Sequence, residues 1–182
     1  MADPIIIKNA RLAFPSLFEP TSFNGEGDPA FSATFLISKD DPQAEVIRAA
    51  IKQIATDKWG AKAADYLQDL IRADRVALHD GDFKSRYAGY ADHYYINASN
   101  KVRPKVVDQK AAPLNQIDGK PYGGCYVNAS IELWIQDNKY GKRINASLRG
   151  VQFVKDGEPF SGGGVAADDE FEALETAGDD LW

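Results

Sequence analysis

Two groups of residues in this sequence could do chemistry. The first is the tetrad "HDGD", His79 to Asp82, with Asp92 and His93 a short way on. An imidazole and carboxylates are competent ligands for a divalent cation, so a metal-dependent nuclease using His79, Asp80 and Asp82 is one reading. No recognised ligand spacing accompanies them, and a Gly-containing acidic turn between helix and strand explains the same residues. Cys125 is the single cysteine and only two histidines could serve it as a base, which favours a small buried hydrophobe over a nucleophile. No nucleophile elbow, Walker loop or H-E-x-x-H motif occurs. These residues point away from an enzyme, and no cofactor and no metal is expected.

The second group lies on strands. Three times an aliphatic residue precedes Asn-Ala-Ser, at Ile96, Val127 and Ile144. In a strand, successive side chains point to opposite faces. "CYVNASIELWIQ" then turns Cys125, Val127, Ala129, Ile131, Leu133 and Ile135 inward, and Tyr126, Asn128, Ser130, Glu132, Trp134 and Gln136 outward. "YYINASNKVRPK" places Tyr94, Ile96 and Ala98 inside, with Tyr95, Asn97, Ser99, Lys101 and Arg103 outside and Lys105 just beyond. In "KRINASLRG", Ile144, Ala146 and Leu148 face in while Arg143, Asn145, Ser147 and Arg149 face out. If the strands share a sheet, its outer face is paved with Asn and Ser, studded with rings and fringed by cations.

Flat rings on a sheet can stack unpaired bases, cations hold phosphates, and small amides and hydroxyls bond sugar or backbone. Duplex DNA exposes no base faces, so such a surface suits single strands. Tyr95, Tyr126 and Trp134 are the stacking candidates, and Lys101, Arg103, Lys105, Arg143 and Arg149 the phosphate contacts. "FKSRYAGYADHYY" adds Lys84, Arg86, Tyr87 and Tyr90 on a loop. The same rings could instead pack under helices or in a homodimer interface, where Tyr and Trp are also enriched. That second reading, a protein-interaction module without nucleic-acid binding, stays open on these residues alone.

The elements that must position this face are legible in outline. The chain has 182 residues, enough for one domain with a sizeable core. Ile5 to Phe14 reads as a strand, "PSLFEPTSFNGEGDPA" as loop, and "FSATFLI" as a half-buried strand. A helix follows, capped by Asp40 or Asp41, with Pro42 at its first position, an apolar stripe of Ala44, Ile47, Ile51, Ile54 and Ala55, and Gly60 as its stop. A second helix, roughly 61–72, should bury Tyr66, Leu67, Leu70 and Ile71, with Trp59 packed at the joint. Strand signals then run to Val154.

The start "MADPIIIKNA" has an acid where an export signal needs a cation, and no stretch of eighteen apolar residues occurs. A cytoplasmic protein with no membrane association is expected. The formal net charge is −6, with 21 basic and 27 acidic residues. Seven of the acids lie in the last fifteen residues, "DDEFEALETAGDDLW". Without them the rest balances 21 basic against 20 acidic residues, a net charge of +1.

The ordered blocks "NARLAFPSLFEP", "YINASNKVRPKVVD", "YGGCYVNASIELW", "GVQFVKDGEPFSGG" and "DDLW" resemble those of phage single-stranded DNA-binding proteins formerly catalogued as a domain of unknown function. The resemblance covers nearly the whole chain. It implies an OB-like β-barrel in a mainly β fold, here with a helical insertion after the second strand. It divides the chain into a barrel domain at 1–155, a Gly-rich linker at 156–167 and an acidic tail at 168–182. It further implies non-catalytic coating of single-stranded DNA in phage replication, recombination and repair, in the host cell cytoplasm. In such proteins the tail competes with DNA and docks partners such as polymerase or helicase. That role would fall to Asp168, Asp169, Glu170, Phe171, Asp179, Asp180, Leu181 and Trp182.

Overall fold

In the computed structural model, residues 3–23 and 26–160 are described. Seven strands and two helices follow one another as β1 (Ile5–Phe23), β2 (Glu26–Ser38), α1 (Gln43–Trp59), α2 (Ala63–Arg72), β3 (Leu78–Asp80), β4 (His93–Asn100), β5 (Lys105–Val107), β6 (Tyr126–Asn138) and β7 (Gly141–Lys155). The sheet order is β3-β4-β2-β1-β6-β7-β5. A parallel pairing of β4 with β7, at Ser99 and Ser147, closes β1, β2, β4, β7 and β6 into a five-stranded OB-like barrel. β3 and β5 extend it as short outer strands. The helices enter between the second and third barrel strands, as the periodicity predicted.

Alternation builds the interior. Ile7, Leu12, Phe35, Ile96, Ile131, Leu133, Ile144 and Leu148 are almost wholly buried, and Ala44, Ile47, Ile51, Ala55, Ala63, Leu67 and Leu70 of the helices join the same cluster. The helix pair is therefore part of the barrel core. The Asp41 carboxylate accepts the Gln43 N–H at 2.9 Å, so the acid before Pro42 satisfies the first free donor of α1. Gly60 ends α1 with φ 56°. Trp59 meets Tyr66 edge-on at 5.4 Å and donates its indole N–H to Asp137 at 2.9 Å, joining α1 to the β6 end.

Three expectations need correction. The Pro- and Gly-rich stretch after Phe14 is strand, not loop, over all its described residues: β1 and β2 form a long antiparallel hairpin. Pro15 and Pro20 are tolerated because β1 pairs with β6 only as far as Arg11, so beyond that its second edge needs no ladder donors. Register shifts between Ala13, Ser16, Thr21 and Phe23 absorb the misfit. Ile71, expected in the core, is 58% exposed because α2 turns Ala63, Leu67 and Leu70 inward instead. The second helix also begins later than predicted, after a 3-10 turn at Gly60–Lys62.

Of the segment expected to be linker, residues 156–160 pack on the barrel as a strap. Arg11 donates to the Gly124 carbonyl at 3.1 Å and the Glu158 carbonyl at 2.7 Å, and its guanidinium lies 4.1 Å over the Phe160 ring. The Tyr122 hydroxyl bonds Asp156 at 2.8 Å. Residues 161–167 and the acidic tail at 168–182 lie outside the described residues.

The strap requires glycine at 124, where φ is 111° and an added Cβ would stand 2.2 Å from the Glu158 carbonyl oxygen. Gly124→Ala should lower the melting temperature by roughly 4–8 °C, corresponding to about 2 kcal/mol. Gly119→Ala, at φ 71° in open space, should cost clearly less. Equal losses for the two in a thermal melt would show that the strap contributes nothing.

Candidate nucleic-acid interface

Closing the barrel through β4 and β7 lays two Asn-Ala-Ser tetrads side by side. Asn97 and Ser99 on β4 stand beside Asn145 and Ser147 on β7. Cross-strand pairing adds Thr34 and Ser32 of β2 on one flank, through Thr34–Asn97 and Ser32–Ser99. On the other flank it adds Trp134 and Gln136 of β6, through Trp134–Asn145 and Gln136–Arg143. The result is a groove of about 640 Å³ across four strands with a floor of uncharged polar side chains. Thr34 donates to the Asn97 Oδ1 at 2.6 Å, which leaves the Asn97 amide N–H groups as the donors for a ligand.

Each end of the floor carries a ring. Trp134 is 45% exposed at one end. At the other stands Phe14 of β1, 60% exposed and held at φ 46° within the β1 register shift. From β1 to β6 the surface crosses four inter-strand spacings, roughly 19 Å. Phe14 was not among the sequence candidates. Its signal was Phe-Pro at the end of an alternating run, which is equally what a strand end looks like.

The predicted residues divide among different places. Trp134 and Lys101 line this groove, and Arg143 adjoins it beside Gln136. Lys101 reaches Asp28 at 3.1 Å with both side chains largely exposed, a pairing worth little and easily exchanged for a phosphate. Arg103 lies over the Phe18 ring at 5.6 Å, on the hairpin side. Lys105 lines a separate small cleft with Asn128, Ser130 and Gln152. Arg149 is the extra residue where Ser130 pairs with Gly150 but Ile131 pairs with Leu148, and it bonds Glu132 at 3.3 Å. Tyr126 sits at the far end of β6, beneath Lys155 and against the strap at Gly157. The single face drawn from alternation is thus split, because a barrel's outer face curves away in every direction.

Two ring assignments are corrected. Tyr95 points outward as predicted, yet is only 3% exposed, and Tyr90 on the following layer is equally covered. With Leu36, Ala13 and Phe160 they form a second small core outside the barrel. Burial pushes the Tyr90 hydroxyl up to about 12. Neither ring has a face free for a base. Tyr87, in contrast, is 37% exposed, stands edge-on to Phe14 at 5.4 Å and lies under the Arg86 guanidinium at 4.7 Å. The hydrogen bond and positive charge of Arg86 hold the Tyr87 hydroxyl below its ordinary range. Lys84 reaches over Tyr95 at 5.2 Å. The loop therefore adds Arg86, Tyr87 and Lys84 to the Phe14 end of the groove.

The "HDGD" residues do something else. Lys39 bridges Asp80 at 2.8 Å and Asp82 at 2.5 Å, and that pairing holds Lys39 protonated and Asp82 below the usual carboxylate range. His79 bonds Asp74 at 2.6 Å and stacks on Tyr95 at 4.8 Å. A cation thus already occupies the space between the carboxylates. No group of three or more candidate ligands gathers among the described residues. Among them, too, no helix is long and apolar enough to cross a membrane.

Residues 3–182 match the family model described as Enterobacter phage Enc34, ssDNA-binding protein. The chain belongs to this family. A relative from Acyrthosiphon pisum secondary endosymbiont phage 1, described as putative protein p50, is 48% identical over 176 residues, covering 95% of each chain. The single-stranded DNA-binding protein from bacteriophage Enc34, solved in complex with ssDNA, is similar at 30% identity and a TM-score of 0.73, over 87% of this chain and 89% of that one. The single-stranded DNA-binding protein gp2.5 of bacteriophage T7 shares the fold, with a TM-score of 0.58 at 14% identity over 92% of this chain and all of that one. Within this family fold, the two rings and the polar floor are the features of this chain that address a ligand.

Cys125 is fully buried, and burial pushes its thiol up to about 11. An aromatic disulfide reagent should leave it unmodified in the native protein and modify it at once in denaturant. Rapid native-state modification would contradict the packing around it.

Proposed function

We propose that this chain binds single-stranded DNA without catalysing a reaction on it, and that the groove between Phe14 and Trp134 is where the strand lies. The carrying observation is the pair of exposed rings at opposite ends of an uncharged floor of Asn, Ser and Thr. Base stacking on such rings is worth about 1–3 kcal/mol per base and tolerates any sequence. Cations stand at the margins: Lys101 and Arg143 on the strands, Lys84 and Arg86 on the loop. Family membership and the Enc34 protein's complex with ssDNA support the same reading.

The acidic tail is proposed to compete with the strand and to recruit replication proteins, in phage replication, recombination and repair within the host cytoplasm. Support comes from its seven acids and from the strap, which packs Phe160 into the cluster beneath Phe14 and Tyr87. The tail therefore begins close to the loop end of the groove, where a short tether gives its acids a high effective concentration.

Oligo-dT anisotropy tests both parts. Trp134→Ala and Phe14→Ala should each weaken binding by about 1–3 kcal/mol while leaving the melting temperature nearly unchanged. Unfolding of both variants, or undiminished affinity, would remove the groove from consideration. A chain ending at Ala167 should bind more tightly than the full chain at low salt, and the difference should shrink as salt screens the acids. The slope of log affinity against log salt, divided by about 0.7, counts the phosphates held. Absence of oligo-dT binding by either form at low salt would favour the protein-interaction reading.

A further inference from the structure

A second groove, on the helical side, has no part in this reading. Its volume is about 530 Å³, and Ile51, Leu67, Ile71, Leu78, Phe83 and Tyr94 form most of its wall. Phe83 is 86% and Ile71 58% exposed, so the groove offers apolar surface to a ligand. Arg48, Lys52 and Arg72 stand around it. Its two acids are already engaged, Asp74 by His79 and Asp80 by Lys39. Among the described residues, Lys52 and Arg72 form no ion pair, and Arg48 pairs only with Glu45 of its own helix. A mainly aliphatic wall offers little to base edges. It suits a peptide with bulky apolar side chains, and the cations select an acidic one.

We propose that this groove holds Asp179, Asp180, Leu181 and Trp182 of the same chain, with Leu181 and Trp182 against the aliphatic wall and the two carboxylates at Lys52 and Arg72. The sequence meets both requirements of the groove within four residues. The route is short. Phe160 packs with Tyr95, Tyr95 stacks on His79, and His79 lines the groove. Residues 161–182 reach up to roughly 70 Å when extended, against roughly 40 Å across a domain of this size. A tail fixed at Phe160 and again in the groove passes its remaining acids over the loop that carries Lys84 and Arg86. Docking would then set how strongly the tail competes with DNA, a consequence that rests on the single-strand reading, whereas the docking itself does not.

Two measurements on full-length protein separate these. In the first, a fluorescent peptide of residues 168–182 is titrated into the Leu181→Ala/Trp182→Ala chain, whose own docking residues are disabled. Saturable binding is expected, weakened about tenfold or more by adding Ile71→Asp or Lys52→Glu/Arg72→Glu, and by the same alanines in the peptide. In the second, oligo-dT affinity is compared for wild type, Ile71→Asp, Leu181→Ala/Trp182→Ala and the combination. Each change should shift the affinity by the same factor, the combination should add nothing, and the factor should not depend on protein concentration. Peptide binding without oligo-dT binding keeps the groove and removes the single-strand reading. Peptide binding that ignores the Ile71 and Lys52/Arg72 changes but is lost with Lys84→Glu/Arg86→Glu overturns the proposal, as does a factor that rises with protein concentration.

Discussion

The parallel contact between β4 and β7 is the constraint on which the rest of this structure depends. Without it the sheet would be open, with one edge at β3 and β4 and the other at β7 and β5. Registered pairing here amounts to Ser99 with Ser147, supplemented by the Asn100 side-chain amide donating to the Leu148 carbonyl at 3.1 Å. Two such bonds do not hold a barrel shut by themselves. The interior does: Ile96 and Ala98 of β4 and Ala146 and Leu148 of β7 are buried in the same cluster, and exposing them would cost far more than the ladder contributes. Small residues at positions 98 and 146 suit the close approach of the two strands.

The same closure makes the binding groove. Asn97 and Ser99 lie far from Asn145 and Ser147 in sequence, and only the β4–β7 seam sets them side by side. The helices contribute from the opposite direction. Ala44, Ile47, Ile51 and Ala55 fill the barrel core from outside the sheet, which leaves the polar groove uncovered while Trp59 ties the helix joint to Asp137 near the β6 turn. The helices and the groove therefore use different parts of one barrel, and that division answers the sequence-level question of which rings the helices would cover.

Period-two alternation was sufficient for the inward sets on β4, β6 and β7, and for Asn97, Ser99, Trp134, Asn145 and Ser147 as outward residues. The helix pair, with its Asp41, Pro42 and Gly60 signals, was equally legible. What alternation cannot express is what lies above an outward residue. Tyr95 and Leu36 point away from the barrel and are buried nonetheless, because Tyr90 and Phe160 arrive from distant segments to cover them. Nor can it express curvature: Tyr126 and Trp134 share a strand face but end at opposite ends of β6, one beneath the strap and one in the groove. The prolines of the hairpin misled for a related reason. Proline forbids a ladder donor, and whether that matters depends on whether a strand's second edge is paired, which only the topology decides.

The groove's charge distribution accounts for the modest net charge of +1 outside the last fifteen residues. Its floor is uncharged, and cations stand only at the margins. Stacking and hydrogen bonding by the floor and rings do not weaken with salt as counterion release does, so affinity need not rest on a strongly basic body. A body of low positive charge is also what allows seven acids to matter. Against a highly basic groove the tail would be held permanently, and against this one its charge is comparable to that of the few marginal cations it faces. Competition between tail and strand then stays near balance, where a partner or a docking groove with an affinity of its own can tip it.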